Sequence, residues 1–174
     1  YLGSFEMMAK VEAAAGLAPD PVRRLGALAV AVVEDAERLS RKLRLFNAEH
    51  ARLVSMGDGW RRIAPGSDHE ARARLYRLKP VHYTDRALLA WARSDAGAAD
   101  DVWRALATLP QRWTAPAFPL RAADFIARGL ERGPALGAAL RAAEEAWVAA
   151  DLPTDAAALA AIIDAAAQSR RSAD

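Results

Sequence analysis

Arginine and lysine dominate the middle of this chain and are its strongest candidates for a chemical role. Between Arg38 and Arg93 there are thirteen Lys or Arg against five Asp or Glu, although the 174-residue chain has a formal net charge of only +2. GC-rich codon usage would explain the preference for Arg over Lys, but not the clustering. Because the planar guanidinium pairs well with phosphate, the cluster favours a surface that binds phosphate groups.

Catalytic patterns are missing from the sequence. His50, His69 and His82 form no metal-binding pair, and we expect them on the surface or in loops. The adjacent carboxylates Asp100 and Asp101 point to different sides of a helix. With no Cys in the chain, thiol nucleophiles, Cys-ligated metals and disulfides are excluded. No Walker A, GxGxxG or GxSxG motif occurs. We therefore expect no catalytic residue, metal or cofactor in this chain.

The elements that position the cations are expected to be helices only. Hydrophobic residues make up 53% of the chain but aromatics only 7%, because Ala, the best helix former, is so abundant. No segment alternates with the two-residue period of a strand. The prediction is an all-α, irregular multi-helix bundle without a sheet. No apolar run approaches the roughly 20 residues needed to span a bilayer.

Local signals divide this bundle into individual helices. Asp20 followed by Pro21 predicts a helix start, and Ser67 with Glu70 predicts a capping box. The first of these helices carries an apolar stripe that is expected to face the protein core, formed by Leu25, Leu28, Ala29 and Val32. In the next helix, Leu39 and Leu43 are expected to face the core. The predicted helices cover 20–33, 36–45, a segment capped by Asn47, 68–78, one from Thr84 or Asp85, one stopping at Pro110, 122–128, one from Pro134 and one from Thr154.

Two packed helical subdomains are predicted, a body-like region at 1–79 and a tail-like region at 80–174. The chain begins without Met, so we expect it to be part of a longer polypeptide, and the absence of Cys fits a reducing, cytoplasmic compartment. Tryptophans on apolar helical faces are expected in the core. Those beside arginines in loops are expected to anchor the loops rather than stack on bases. The core group is Trp91, Trp103 and Trp147, and the loop group is Trp60 and Trp113.

Residues 118–125 (FPLRAADF) and 129–140 (GLERGPALGAAL), with 147–151 (WVAAD), carry a more specific pattern. This pattern resembles the C-terminal region of bacterial CCA-adding tRNA nucleotidyltransferases and poly(A) polymerases. Residues 24–28 (RLGAL) and 43–49 (LRLFNAE) resemble the helical body of the same family. The chain departs from that family at Ala122, where Gly is common, and at Phe46, where Ser is common.

The resemblance implies an RNA-binding role for a chain that is not itself catalytic. Its partners would be RNA, most of all the acceptor and T arms of tRNA, and the catalytic head and neck of the same parent polypeptide. The parent would use Mg²⁺ and CTP or ATP, and no cofactor is expected in this chain. The predicted RNA-binding residues are Arg41, Lys42, Arg44, Arg72, Arg74, Arg77, Lys79, Arg128, Arg132, Gly133 and Arg141.

A phosphate-binding site is expected at the N-terminus of the helix that starts with Pro134. The first amides of a helix have no intrahelical partner and carry a partial positive charge. Ala135 and Leu136 would donate, with Arg128 and Arg132 clamping the same phosphate. A simple chain reversal at a Gly-Pro turn explains the same residues equally well.

Three other functions remain open. The Arg-rich face could bind an acidic protein surface in a non-enzymatic interaction module. A helical domain could hold a small molecule, although Ala-rich faces let helices approach closely and leave little room for a cavity. The domain could also only fix the geometry of a catalytic partner domain.

Overall fold

A computed structural model describes residues 2–171 and contains ten α-helices and no strand in that range, which confirms the all-α prediction. Contacts divide the chain into a first unit that ends at Thr114 and a second that begins at Ala115. The division therefore falls after Thr114, whereas we predicted it after Lys79. None of the helices in residues 2–171 is long and apolar enough to cross a membrane.

Seven helices and one 3-10 turn form the first unit. They are α1 (Leu2–Ala14), α2 (Pro21–Ala29), α3 (Val33–Leu43), α4 (Asn47–Gly59), the 3-10 turn Trp60–Arg62, α5 (Asp68–Ala92), α6 (Asp101–Ala107) and α7 (Leu109–Arg112). The second unit contains α8 (Ala122–Ile126), α9 (Pro134–Ala149) and α10 (Ala156–Arg171).

Helix α5 is the centre of the first unit and contacts α1, α2, α4, α6 and α7. Its second half is buried on nearly all sides from residue 87 to residue 92, as expected for a helix that is apolar all round. Trp91 and Tyr83 are fully buried there, and Met8 of α1 and Leu53 of α4 belong to the same core. This core holds the surrounding helices in place.

The predicted capping box at Ser67 and the predicted helix start at Asp20 and Pro21 are confirmed. Ser67 accepts from the Glu70 amide at 3.2 Å, and Asp20 accepts from the Arg23 amide at 2.9 Å. The helix that starts at Asp68 ends at Leu78 as predicted, because Lys79 has the non-helical angles φ +66 and ψ 162; a second helix follows across this kink and continues to Ala92 within α5. Pro80 has no amide hydrogen to donate. The second half therefore begins at Pro80 and not at Thr84 or Asp85.

The prediction that α2 continues to Val33 is wrong, and tertiary bonds explain why. Trp60 and Arg61 donate to the Ala31 carbonyl at 3.1 and 2.8 Å, while the Ala31 amide donates to Asp35 at 2.8 Å. These bonds replace the helical ones. A Cβ on Gly57 would lie 2.6 Å from the Val32 carbonyl carbon, so only glycine allows α4 to approach this connection.

Several predicted core positions are also wrong. The break turns Leu28 and Val32 outward, with 39% and 41% of each exposed. The buried hydrophobic residues of this segment are Val22, Ala27 and Val30. Helix α1 was not predicted at all. Asn47 is the first residue of α4, and Phe46 takes the capping position.

The tryptophan predictions are mostly confirmed in the first unit. Trp91 is fully buried, Trp103 is partly buried against the same core, and Trp113 packs there as well. Trp60 anchors its turn through its indole bond to Ala31, and the Arg61 guanidinium lies 4.5 Å from its ring centroid.

The second unit is built around α9. Phe125, Ala139, Ala143 and Ile163 are buried together in its core. Trp147 is also buried; it meets Phe118 edge-on at 5.4 Å, and its indole donates to the Pro153 carbonyl at 2.7 Å. The turn before α9 requires glycine at residue 129, where φ is +90. The predicted start of α9 at Pro134 is confirmed.

Candidate nucleic-acid interface

The C-terminal end of α3 carries a group of predicted site residues that are all exposed. Acidic residues in the first turn of α3 and basic residues in its last turn both match the helix dipole. Bonds from the Ala31 and Val32 amides lower the pKa of Asp35, which fixes the start of the helix as a charged cap. The helix ends where Arg44 adopts φ +51 and donates its amide to Ser40 at 3.1 Å.

Arg41, Lys42 and Arg44 form what we call the basic corner. All three side chains are exposed, and within residues 2–171 none of them forms an ion pair. The acidic neighbours are engaged elsewhere: Asp35 pairs with Arg38, and Glu49 accepts from the Phe46 amide at 2.9 Å. The positive charge of the corner is therefore not neutralised within the described part of the chain.

The side chains next to the basic corner differ from expectation. Leu43 was predicted to face inward, but 52% of it is exposed, because the helix ends here and α4 leaves in a new direction. Leu45 packs against the core instead. Phe46 is 76% exposed. Apolar surface thus lies directly beside the cations.

The cations of α5 are less uniform. Arg77 and Lys79 are exposed, whereas Arg72 and Arg74 are half-buried. The Lys79 ammonium lies 4.7 Å from the centroid of the Tyr76 ring. Arg72 and Arg77 already have interaction partners in the structure. Of the predicted contacts on this helix, the kink residue Lys79 is the most openly presented.

A buried phenol lies close to Arg74. Burial raises the pKa of Tyr83 to about 12, although the charges of Arg74 and Arg112 act in the opposite direction. The Tyr83 hydroxyl donates to the Leu106 carbonyl at 3.1 Å. Tyr83 therefore stays neutral and holds α5 against α6, and Arg74 and Arg112 share one side of the first unit.

In the second unit the predicted residues fall into two groups. Arg132, Gly133 and Arg141 are exposed around the start of α9. Arg128 instead donates to Asp164 on α10 and, at 3.1 Å, to the Asp124 carbonyl. Arg128 thus ties α8 to α10, and its predicted role as a phosphate clamp stays a prediction.

Sequence reasoning missed a cluster of buried ion pairs in the first unit. Arg52 forms two bonds with Asp85, at 2.7 and 2.9 Å, and a third with Asp20 at 3.0 Å. Glu12, fully buried, pairs with Arg24 at 2.9 Å. These residues are far apart along the chain, and a single sequence contains no signal that pairs them. The nearest hint is the charged residue Asp85 inside an apolar stretch of α5.

The third arginine of this cluster is less well matched. Arg23 lies 3.4 Å from Glu12 and 3.3 Å from Asp85, yet its Nε and Nη1 atoms are buried without a hydrogen bond. With three arginines facing three carboxylates, the formal charges of the cluster balance. We name Glu12, Asp20, Arg23, Arg24, Arg52 and Asp85 the buried ion cluster.

The pKa shifts in the buried ion cluster favour the charged forms of Asp20 and Arg52. Burial alone would raise the pKa of Asp20, but the Arg23 amide and the Arg52 guanidinium hold it below its ordinary value. The bond to Asp85 raises the pKa of Arg52 against the effect of burial. Asp20 and Arg52 are therefore charged at neutral pH and pair with each other, which makes this ion pair a structural element.

Other candidate sites are small. Within residues 2–171 no group of three or more His, Asp or Glu side chains could hold a metal ion. The three histidines lie in helices and are half-buried, not in loops or on the open surface as predicted; His50 lies 3.2 Å from Glu37. A cleft of about 290 Å³ opens over the buried ion cluster, beside Val81 and Thr84.

No protein-family model matches this chain, and no curated protein matches it either.

Proposed function

We propose that this chain binds folded RNA through its phosphate backbone, with the basic corner as the main contact. The observation that carries the proposal is the state of the charges: Arg41, Lys42 and Arg44 are exposed and form no ion pair within residues 2–171. Arginines elsewhere, such as Arg52 and Arg86, are paired with carboxylates. Cations that the fold does not neutralise are available to neutralise phosphates.

Backbone recognition suits such a surface. Contacts to phosphate give affinity and orientation but read no sequence, and folded RNA is recognised largely by shape. Additional contacts would come from exposed and half-buried cations of α5 and from exposed residues just before and within α9. These are Arg72, Arg74, Arg77, Lys79, Arg132, Gly133 and Arg141.

The wider proposal concerns the parent protein. The resemblance of residues 118–151 to the CCA-adding and poly(A) polymerase family supports a chain that holds tRNA for a catalytic head elsewhere in the same cytoplasmic polypeptide. That head would bind Mg²⁺ and CTP or ATP, and this chain would contribute no catalytic group. Whether the parent adds CCA, A alone or poly(A) is a property of the head.

The test is RNA binding measured over a range of salt concentrations. The chain is titrated with labelled tRNA by fluorescence anisotropy, and log Kd should rise with log salt with a slope of about 3 to 5. Replacing Arg41, Lys42 and Arg44 together with Gln should weaken binding about ten-fold or more. If all three contact phosphate, the variant should lower the slope by about 3.

A matched control removes the same charge elsewhere. Lys10, Arg104 and Arg121 are exposed cations outside the proposed contacts, and replacing all three with Gln should change affinity far less. Equal losses in both triple variants would mean that only net charge matters. Absence of tRNA binding at low salt, or displacement of the bound ligand by an acidic protein but not by tRNA, would favour the protein-interaction function.

A further inference from the structure

Phe46 is the exception among the aromatic residues of this chain. Within residues 2–171 every other Phe, Tyr and Trp is buried or half-buried, whereas Phe46 is 76% exposed. Burying a Phe side chain stabilises a fold, and this position forgoes most of that gain. The neighbouring Leu45, by contrast, packs against the core.

Local backbone bonds hold Phe46 in place. Its amide donates to the Glu49 carboxylate at 2.9 Å, and its carbonyl accepts from the His50 amide at 2.9 Å. Arg44 just before it has a left-handed backbone, which ends α3 and turns the chain into α4. The ring is therefore presented from a fixed backbone at the start of a helix and not from a mobile loop.

The surroundings of Phe46 indicate the chemistry of its occupant. The cations of the basic corner lie within five residues of it along the chain, and Leu43, 52% exposed, lies between them. An aromatic face beside uncompensated cations matches a ligand that is itself a flat ring attached to an anion. An unpaired nucleotide has this composition, because its base stacks on aromatic rings and its phosphate pairs with Arg or Lys.

We infer that Phe46 is a stacking platform for an unpaired base of the bound RNA, next to phosphates held by the basic corner. This inference rests on the proposed function and narrows it. The preferred ligand is a duplex with a single-stranded segment, and a blunt duplex fills only the phosphate sites. Stacking is tolerant of base identity, so the preference is for strandedness and not for sequence.

The experiment compares two RNA hairpins with the same stem, each closed by a polyethylene glycol linker instead of unpaired loop nucleotides, one with a blunt end and one with a single-stranded adenosine tail. The unmodified chain should bind the tailed hairpin more tightly. Phe46→Ala should weaken binding of the tailed hairpin about five-fold or more while leaving the blunt hairpin unchanged. Because the substitution removes no charge, the salt slope should stay the same. Phe46→Trp should keep the preference for the tail.

Val102→Ala is the control, since Val102 is an exposed apolar residue of α6 with 60% of its surface accessible. It should change neither affinity. If the unmodified chain binds neither hairpin, the proposed function fails. If it binds both and Phe46→Ala behaves like the unmodified chain, only the stacking inference fails. A Phe46→Ala variant that changes self-association but not RNA binding would also overturn it, because the patch would then be a contact between copies.

Discussion

Arg52 and Arg44 belong to the same helical unit, but their guanidinium groups are in opposite situations. Arg52 lies within the buried ion cluster and forms bonds to Asp85 and Asp20 between 2.7 and 3.0 Å. Arg44 is exposed at the end of α3 and forms no ion pair within residues 2–171. The positive charges of the central region therefore fall into two groups. One group forms ion pairs inside the fold, and the other is exposed and available to a ligand.

Charge counting along the sequence cannot separate these roles. The balance of thirteen cations and five acids between Arg38 and Arg93 includes Arg52, whose charge is balanced by acids that include Asp20, outside that stretch. The useful quantity is therefore the charge that remains after ion pairs inside the fold are removed. Within residues 2–171 that remainder includes the basic corner and also Arg61 and Arg62 of the 3-10 turn, which are exposed and form no ion pair.

The largest effect is expected from a substitution in the buried ion cluster, where the internal role of the charges is tested. Asp85→Ala should lower the free energy of unfolding by about 3 kcal/mol, because it removes the buried carboxylate that Arg52 and Arg23 share and leaves them only Asp20 and Glu12. Urea denaturation followed by circular dichroism measures the change. If the Ala variant does not fold, Asp85→Asn takes its place in the measurement. This substitution keeps the size of the side chain and should also destabilise the fold.

Asp58→Ala is the matched control for this experiment. Asp58 pairs with Arg86 at 3.2 Å but is 53% exposed, and Arg86 keeps its bond to Ser55. A loss of about 1 kcal/mol or less is expected. Similar losses for Asp85 and Asp58 would contradict the distinction between buried and exposed charges.

The next effect is a dependence of stability on pH. Asp20 has a lowered pKa in the folded state, so its stabilising effect is present above its unfolded pKa of about 4 and disappears as the pH falls through the folded value. Asp20→Asn should therefore be less stable than the unmodified chain at neutral pH. The gap should close below about pH 4, as measured by urea unfolding at a series of pH values. A difference in stability that persists or widens in acid would mean that the stabilising effect of Asp20 does not depend on its charge.

The smallest effect concerns two arginines in the second unit. Arg132 is exposed beside the start of α9, whereas Arg128 bonds to Asp164. Arg132→Gln should weaken tRNA binding about two- to five-fold, and Arg128→Gln should lower the melting temperature with less effect on binding. Anisotropy titrations and thermal unfolding of both variants measure these changes. If Arg128→Gln weakens tRNA binding more than Arg132→Gln does, the bond to Asp164 does not keep Arg128 from binding RNA.

Signals confined to a few neighbouring residues predicted the structure well. The cap at Asp20, the capping box at Ser67 and the start of α9 at Pro134 are all confirmed. Each depends on backbone hydrogen bonds or dihedral angles within one helical turn. The exposure of the basic corner follows from similar local causes, because charged residues favour the last turn of a helix.

Features set by distant residues were not predictable. The apolar pattern of α2 continues to Val33, but bonds from Trp60 and Arg61 to the Ala31 carbonyl end the helix early. The bond between Arg52 and Asp85 joins two helices that a single sequence does not align. Phe46 shows the same limit from the opposite side, because no local pattern distinguishes an exposed aromatic residue from a buried one.

The kink at Lys79 divides α5 into two mechanical elements. The bending stiffness of a helix depends on its continuous ladder of backbone bonds, and Pro80 interrupts that ladder where Lys79 leaves the helical conformation. A load applied to the arginines of the first half is therefore not transmitted along a single rigid rod to the half that contains Asp85. Instead, the two halves are coupled through side chains packed in one core, among them Leu75 and Leu88.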